Sequence, residues 1–201
     1  MTDELRTSLR SSLRQSRRKL SAEQQAAAAK SLFSLVENQE FFRASKRIAF
    51  YQSVDGEIDP GHLLELALRE GKSCFLPVIS EGNPELVSFA PYDTSTELVD
   101  NKWGIGEPLS QPLVSATDFN LVFVPLVGFD ENCFRLGMGK GFYDRRFGFK
   151  IFNRSSLPLL VGLAHESQLT DSLPIANWDV RLDAVVTDRK IYRPNTARAA
   201  C

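Results

Sequence analysis

Between positions 135 and 145 the chain reads Arg-Leu-Gly-Met-Gly-Lys-Gly-Phe-Tyr-Asp-Arg, with glycines at 137, 139 and 141. A backbone so free of Cβ atoms can turn its N–H groups onto a single anion. Arg135, Lys140 and Arg145 supply cations to close around it, and Tyr143 and Asp144 crowd the same segment. That chemistry is phosphate binding. Two familiar phosphate patterns do not fit. The loop lacks the G-x-x-x-x-G-K-[ST] spacing, and Phe142 stands where a dinucleotide fingerprint needs its last glycine. Glycines at alternate positions also make plain turns; the surrounding charges favour an anion.

The elements that must position this loop follow from periodicity. Leu5, Leu9 and Leu13 recur every four residues beside Arg6, Arg10 and Arg14, which predicts an N-terminal helix over 4–19 with one apolar stripe and one basic face. Ser21-Ala-Glu-Gln24 has the form of a capping box, opening a helix whose apolar face is Ala29, Leu32, Phe33 and Val36. Asp59 and Pro60 read as the N-cap and first residue of another helix that ends before Gly71. Strands are expected at 47–51, 74–79, 86–90, 121–125, 159–164 and 184–187, with a long, partly irregular excursion over 91–117. Leu121–Pro125 is a continuous apolar run, as for a strand buried on both faces. Alternating helices and strands predict an α/β fold: a mainly parallel central sheet flanked by helices, in one domain over residues 1–201. Ligands of such sheets lie beyond the carboxyl ends of the strands. The glycine loop follows one strand, and Glu57, in Tyr51-Gln-Ser-Val-Asp-Gly-Glu57, follows another. A carboxylate and a phosphate loop on one sheet edge suit a small-molecule site.

At 201 residues, 43% hydrophobic, the chain can bury a sizeable core. A net charge of −1 excludes a nucleic-acid binder that works through a globally basic surface. No apolar run is long enough to span a membrane, and the polar, basic start does not read as a secretory signal. Cys74, Cys133 and Cys201 match neither a disulfide framework nor a zinc site and read as reduced thiols of a cytoplasmic protein, expected to be a monomer. With only His62 and His165, histidine-pair chemistry is not expected, and His165 reads first as a satisfied core histidine. From the residues alone Arg6, Arg10 and Arg14 would be a solvated helix face. Arg14, Arg17, Arg18 and Lys19 are assigned to that surface. Glu57 reads equally well as an ordinary loop carboxylate, and Trp103 as a core or loop anchor.

Four motifs in order change that balance. They are Arg6-x-x-x-Arg10; Tyr51 to Glu57; Phe129-Asp-x-x-x-x-Arg135-Leu-Gly-x-Gly-Lys-Gly-Phe-Tyr-Asp144; and Gly162-Leu-Ala-His-Glu-Ser-Gln168 with Trp178-Asp179-Val-Arg-Leu-Asp183. In these the chain resembles the 5-formyltetrahydrofolate cyclo-ligase family, also called methenyltetrahydrofolate synthetases, from its first helix to near Asp188. The resemblance implies that ATP phosphorylates the formyl oxygen of 5-formyltetrahydrofolate. The 10-nitrogen then attacks the activated carbon, phosphate leaves, and the cyclic 5,10-methenyl product forms beside ADP. It further implies that Arg135, Leu136, Gly137, Met138, Gly139, Lys140, Gly141, Phe142 and Tyr143 wrap the nucleotide with Arg6 and Arg10. Arg135, Lys140 and Tyr143 would serve the transfer. Gln52, Glu57 and Met138 to Phe142 would hold the reduced folate, with Trp103 a further flat surface. Asp144 and Asp179 would hold Mg2+, Asp183 being the alternative to Asp179. Three positions depart from the family pattern: Arg6 where lysine is frequent, Phe142 where tyrosine is common, and Cys133 where a turn glycine is usual. Cys133 predicts either a reshaped turn or a strained residue at φ > 0. Two other classes use the same parts, a small-molecule kinase and a non-catalytic phospho-ligand sensor.

Overall fold

The computed structural model describes residues 2–79, 86–109, 113–154 and 156–195. Helix α1 (Thr2–Arg18) turns Leu9 and Leu13 inward, while Leu5 is 53% exposed. Helix α2 (Ala22–Val36) opens on the expected capping box: Gln24 N donates to Ser21 Oγ at 3.3 Å, and Ser21 N donates to Gln24 Oε1 at 2.8 Å. A single turn, α3 (Glu40–Arg43), leads into the sheet. Helix α4 (Gly61–Arg69) begins one residue later than the sequence suggests. Asp59 Oδ1 accepts from Gly61 N at 3.0 Å, closing a turn that holds Pro60 outside the helix. The helix ends as expected: Gly71, at φ 69°, and Lys72 donate back to Leu68 and Ala67, satisfying the last carbonyls. Helix α5 (Phe142–Arg146) follows the glycine loop.

In chain order the strands are β1 (Arg47–Ala49), β2 (Ser73–Ile79), β3 (Val87–Tyr92), β4 (Leu98–Asp100), β5 (Gly106–Pro108), β6 (Leu121–Pro125), β7 (Gly128–Asp130), β8 (Arg135–Leu136), β9 (Leu159–Leu163), β10 (Leu169–Thr170), β11 (Ala184–Val186) and β12 (Ile191–Tyr192). Seven form the main sheet, in the order β12-β11-β9-β6-β1-β2-β3. The five inner strands are parallel, and an antiparallel strand closes each edge. The link from Ile79 to Val87 is too short for the crossover a parallel pair needs, so β3 must run antiparallel. Strand β6 occupies the centre. Its Leu121 and Phe123 join a core beneath α2 and α4, while Val122 and Val124 join a second core on the other face, against which Phe142 and Tyr143 of α5 pack. No helix among the described residues is long and apolar enough to cross a membrane.

The expected excursion over 91–117 is more ordered than its composition suggests, since β4 and β5 pair as a hairpin within it. Asn101 Oδ1 makes the turn by accepting from Trp103 N and Ile105 N. A second small sheet, β10-β7-β8, stands at the carboxyl end of β6, and α1 lies against it. Gly128 permits that approach: a Cβ there would come within 2.5 Å of Leu13 Cδ1.

Candidate active site

The strand order reverses between β1 and β6: β2 lies on one side of β1, and β6, β9 and β11 follow on the other. Beyond the carboxyl ends of these two strands lies the crevice where doubly wound sheets hold ligands. Two cavities of about 610 Å³ each occupy it. They share one wall, made of Arg135, Gly137, Lys140, Gly141 and Asp144. One is mostly apolar and runs towards β2 and the β4–β5 hairpin; the other is charged and runs towards α1.

The shared wall is built by the β7–β8 hairpin. Asp130 Oδ1 accepts from Asn132 N at 3.0 Å and Phe134 N at 3.1 Å, which forces the chain to turn. Cys133 takes the position that favours glycine, at φ 62°. The turn keeps its shape and the residue carries the strain, about 1–2 kcal/mol for a left-handed L-residue. Full burial in the core that also holds Phe129 and Phe147 offsets that cost. Arg135 emerges from the hairpin buried, donating Nη1 to Val180 O at 2.8 Å and Nη2 to Asp144 Oδ1 at 2.7 Å. Gly139 and Gly141 have φ values of 95° and 65°. A side chain at Gly141 would also collide with Arg145, since a Cβ there lies 2.9 Å from Nη1.

Into the charged cavity α1 delivers Arg6 and Arg10, one turn apart. Arg10 Nε donates to Gly137 O at 2.9 Å and so braces the loop from outside. Arg6 Nη2 donates to both oxygens of Asp179, at 2.9 and 2.7 Å, while its buried Nε has no partner among the described residues. Lys140 is exposed and makes no ion pair among the described residues. Four cations with unused donors therefore surround one loop, a setting that fits a polyphosphate. The carboxylates fit a hard cation that keeps most of its waters. Among the described residues the hydrogen bonds to Asp144 fall on Oδ1 and leave Oδ2 open, whereas Asp179 is engaged on both oxygens, Ala176 N adding a bond of 2.7 Å. Asp183, the alternative, belongs elsewhere: its Oδ2 accepts from Leu160 N at 2.7 Å and pairs with buried Lys150 at 3.1 Å.

The apolar cavity gathers Tyr51, Gln52, Glu57, Trp103, Met138, Phe142 and Tyr143. Trp103, 45% exposed, meets Phe142 edge to face at 6.5 Å, at the mouth. Glu57 is the one strongly perturbed acid there. Burial raises its carboxyl to about 7, against the pull of Arg17, whose Nη2 lies 3.7 Å from Oε1, and of Val54 N, which donates to Oε2 at 3.2 Å. Burial also pushes the Tyr143 phenol up, so it stays protonated and keeps its O–H as a donor. Gly139 lines the charged cavity alone, Phe142 and Tyr143 the apolar one alone, and Leu136 lines neither, being packed with Leu13 and Val127.

The assignment of Arg14 and Arg17 to a solvated surface does not hold, whereas Arg18 is exposed as expected. All three pair with Asp55, Arg14 is half-buried, and Arg17 is wholly buried. Arg17 Nε donates to Asp55 O at 2.8 Å and Nη1 to Leu126 O at 3.1 Å, fastening the 55–57 turn to the end of β6. Arg14 lines the apolar cavity. The signal was present, because positions 6, 10, 14 and 17 continue one helical stripe. Lys19 is exposed, as expected, and His165 is a buried core histidine whose Nε2 meets Gly56 O at 3.1 Å. Cys74 and Cys133 are buried, free thiols, and Cys201 lies outside the described residues.

Sheet, switch point and paired cavities define an α/β protein with a charged and an apolar cavity side by side. A model of the 5-formyltetrahydrofolate cyclo-ligase family matches residues 2–188, and the chain belongs to that family of ligases. It is 36% identical to the 5-formyltetrahydrofolate cyclo-ligase of Haemophilus influenzae over 90% of this chain and 97% of that one. To the enzyme of that name from Escherichia coli it is 34% identical, over 90% and 98% respectively. The solved structure of Aquifex aeolicus 5,10-methenyltetrahydrofolate synthetase superposes with a TM-score of 0.82 at 29% identity, covering 98% of this chain and 96% of that one.

Proposed function

We propose that this chain cyclises 5-formyltetrahydrofolate to 5,10-methenyltetrahydrofolate, using ATP and Mg2+ and releasing ADP and phosphate. The observation that carries this reading is the shared wall. A folate in the apolar cavity and a nucleotide in the charged one would meet across Arg135, Gly137, Lys140, Gly141 and Asp144.

Phosphoryl transfer depends mainly on positioning and charge stabilisation, and this wall is suited to both. The formyl oxygen attacks the γ-phosphorus, and the bond to ADP breaks. The 10-nitrogen then attacks the formyl carbon and loses its proton as phosphate departs with the oxygen. Arg135, held on Val180 and Asp144, presents a fixed cation to the transferring group, and Lys140 supplies a mobile one. Asp144, through its open Oδ2, and Asp179 would hold the magnesium ion, which would draw charge from the phosphate oxygens. Glu57 would accept hydrogen bonds from the N–H groups of the pterin ring, Gln52 lies beside it, and Phe142, Tyr143 and Trp103 offer apolar surface to the flat rings. We further infer a cytoplasmic protein, in keeping with buried thiols at Cys74 and Cys133 that form no disulfide among the described residues.

Absorbance in the near ultraviolet tests the reading, because the conjugated methenyl product absorbs there and the substrate does not. A rise that requires ATP supports it. A flat trace from folded protein would transfer the site to a kinase reading, in which the product retains the phosphate.

A further inference from the structure

Arg14 is the arginine of α1 that faces the apolar cavity, where phosphate chemistry does not account for it. Its Nε donates to Asp55 Oδ2 at 2.8 Å, and the same oxygen lies 3.0 Å from Arg17 Nη2. Arg17 Nη2 is in turn 3.7 Å from Glu57 Oε1. The four side chains form a row of alternating charge, Arg14, Asp55, Arg17, Glu57. Arg17 lies wholly buried behind the row, while Arg14, Asp55 and Glu57 line the cavity.

The row is held in one shape. Asp55 and Gly56 have φ values of 55° and 77°, and a Cβ at Gly56 would come within 3.2 Å of Arg17 Cγ. A left-handed aspartate is strained, and three arginines on its carboxylate offset the strain. Asp55 engages only the Nε of Arg14. The two Nη groups have no partner among the described residues, and the side chain is 33% exposed, against 9% for Glu57.

The cavity therefore offers a carboxylate and a guanidinium with unused donors side by side on one wall. The edge of a pterin ring is the complement. Its 2-amino group and N3–H donate, and its C4 carbonyl, the next group along the same edge, accepts. A ring seated on Glu57 by its two donors leaves that carbonyl to be matched, and a carbonyl taken from water unmatched is costly.

We propose that Arg14 donates to the C4 carbonyl of the pterin and so selects 4-oxo over 4-amino folates. The proposal rests on the folate reading of the apolar cavity. In a 4-amino ring the carbonyl is replaced by an amine, and two donors then face each other. N3 loses its hydrogen in the same exchange, which Glu57 also senses, so the share of the discrimination that depends on Arg14 is what the experiment must isolate.

Calorimetric titration with 5-formyltetrahydrofolate and with its 4-amino-4-deoxy analogue isolates it. Arg14→Met and Arg14→Ala both remove the donors, Arg14→Lys returns one, and Arg17 and Arg18 still hold Asp55 in all three. The parent is expected to prefer the 4-oxo compound by about tenfold or more. Arg14→Met and Arg14→Ala should weaken the 4-oxo compound about tenfold, leave the analogue near its parental affinity and so shrink the ratio; Arg14→Lys should restore part of it. ATP affinity should stay parental in every variant, since Arg14 does not line the charged cavity. An equal loss for both compounds would overturn the proposal and reduce Arg14 to a support for the 55–57 turn, and unaltered affinities would overturn it as well. A parent that binds ATP but neither compound would overturn the folate reading and the proposal with it.

Discussion

Replacing Glu57 by glutamine isolates the cost of keeping an acid in the apolar cavity. Burial lifts its carboxyl from 4.5 to about 7, even with Arg17 nearby. Between those values the folded protein binds a proton that the unfolded chain has released. Glu57 therefore contributes stability that is fully present below pH 4.5 and lost as pH rises through about 7. At 1.36 kcal/mol per unit, a shift of roughly 2.5 units amounts to about 3 kcal/mol. About 2.5 kcal/mol of this falls between roughly pH 5 and pH 8.5. Glutamine keeps an acceptor for Val54 N–H and has nothing to titrate, and Arg17 retains Asp55 at 3.0 Å. Urea unfolding at the two pH values should show the parent losing about 2.5 kcal/mol more than Glu57→Gln. The variant should be the more stable protein at the alkaline end, with a raised KM for 5-formyltetrahydrofolate. Parallel stability profiles for the two proteins would refute the reasoning, because they would show that the Glu57 carboxyl titrates alike in the folded and unfolded chain. The expected trade is familiar: a carboxylate that weakens the free protein is retained because a ligand's donors satisfy it.

Three further outcomes follow from the geometry. Lys140→Ala should lower kcat/KM by about 10²–10³ with an unchanged melting temperature, since the exposed ammonium supports no fold contact among the described residues; near-parental turnover would remove it from the transfer step. Asp144→Asn should raise the magnesium concentration needed for half-maximal activity and also destabilise by about 3 kcal/mol, because Arg135 loses its partner at 2.7 Å; a magnesium titration below the melting point separates the effects, and an unaltered curve would exclude Asp144 as a ligand. Arg17→Lys keeps the charge but cannot span Asp55 O, the Asp55 carboxylate and Leu126 O together. It should raise KM for the folate several-fold and leave KM for ATP near the parental value, whereas equal changes in both would mean that Arg17 only holds the fold together.

Much of the candidate site's local structure was legible because its signals are local. Three alternating glycines among cations mark an anion loop wherever they occur, and a capping box at Ser21 or a helix-ending glycine at Gly71 depends only on near neighbours. The continuous apolar run at 121–125 announced a strand buried on both faces, and β6 is the centre of the sheet. The short pairings of β4 with β5 and of β7 with β8 and β10 were not legible, because strands of two or three residues carry too little periodicity to rise above turn chemistry.

Arg17 shows where sequence stops. By its type it belongs in water, and the stripe it continues with Arg6, Arg10 and Arg14 gives it a direction but not a depth; its burial is decided by Asp55 and Leu126, which only the closed fold brings near. The same holds for the acidity of Glu57, which is a property of the cavity and not of the residue. Side-chain identity and spacing by themselves determined the α/β order, the glycine loop among cations and the basic stripe on the first helix, because these are short-range matters of sterics and periodicity. The tertiary structure alone decided that two cavities share one wall, that Asp144 keeps an oxygen open while Asp179 does not, and that Arg14 and Glu57 line the same cavity, because those relations join segments distant in the chain and are set by how the layers pack.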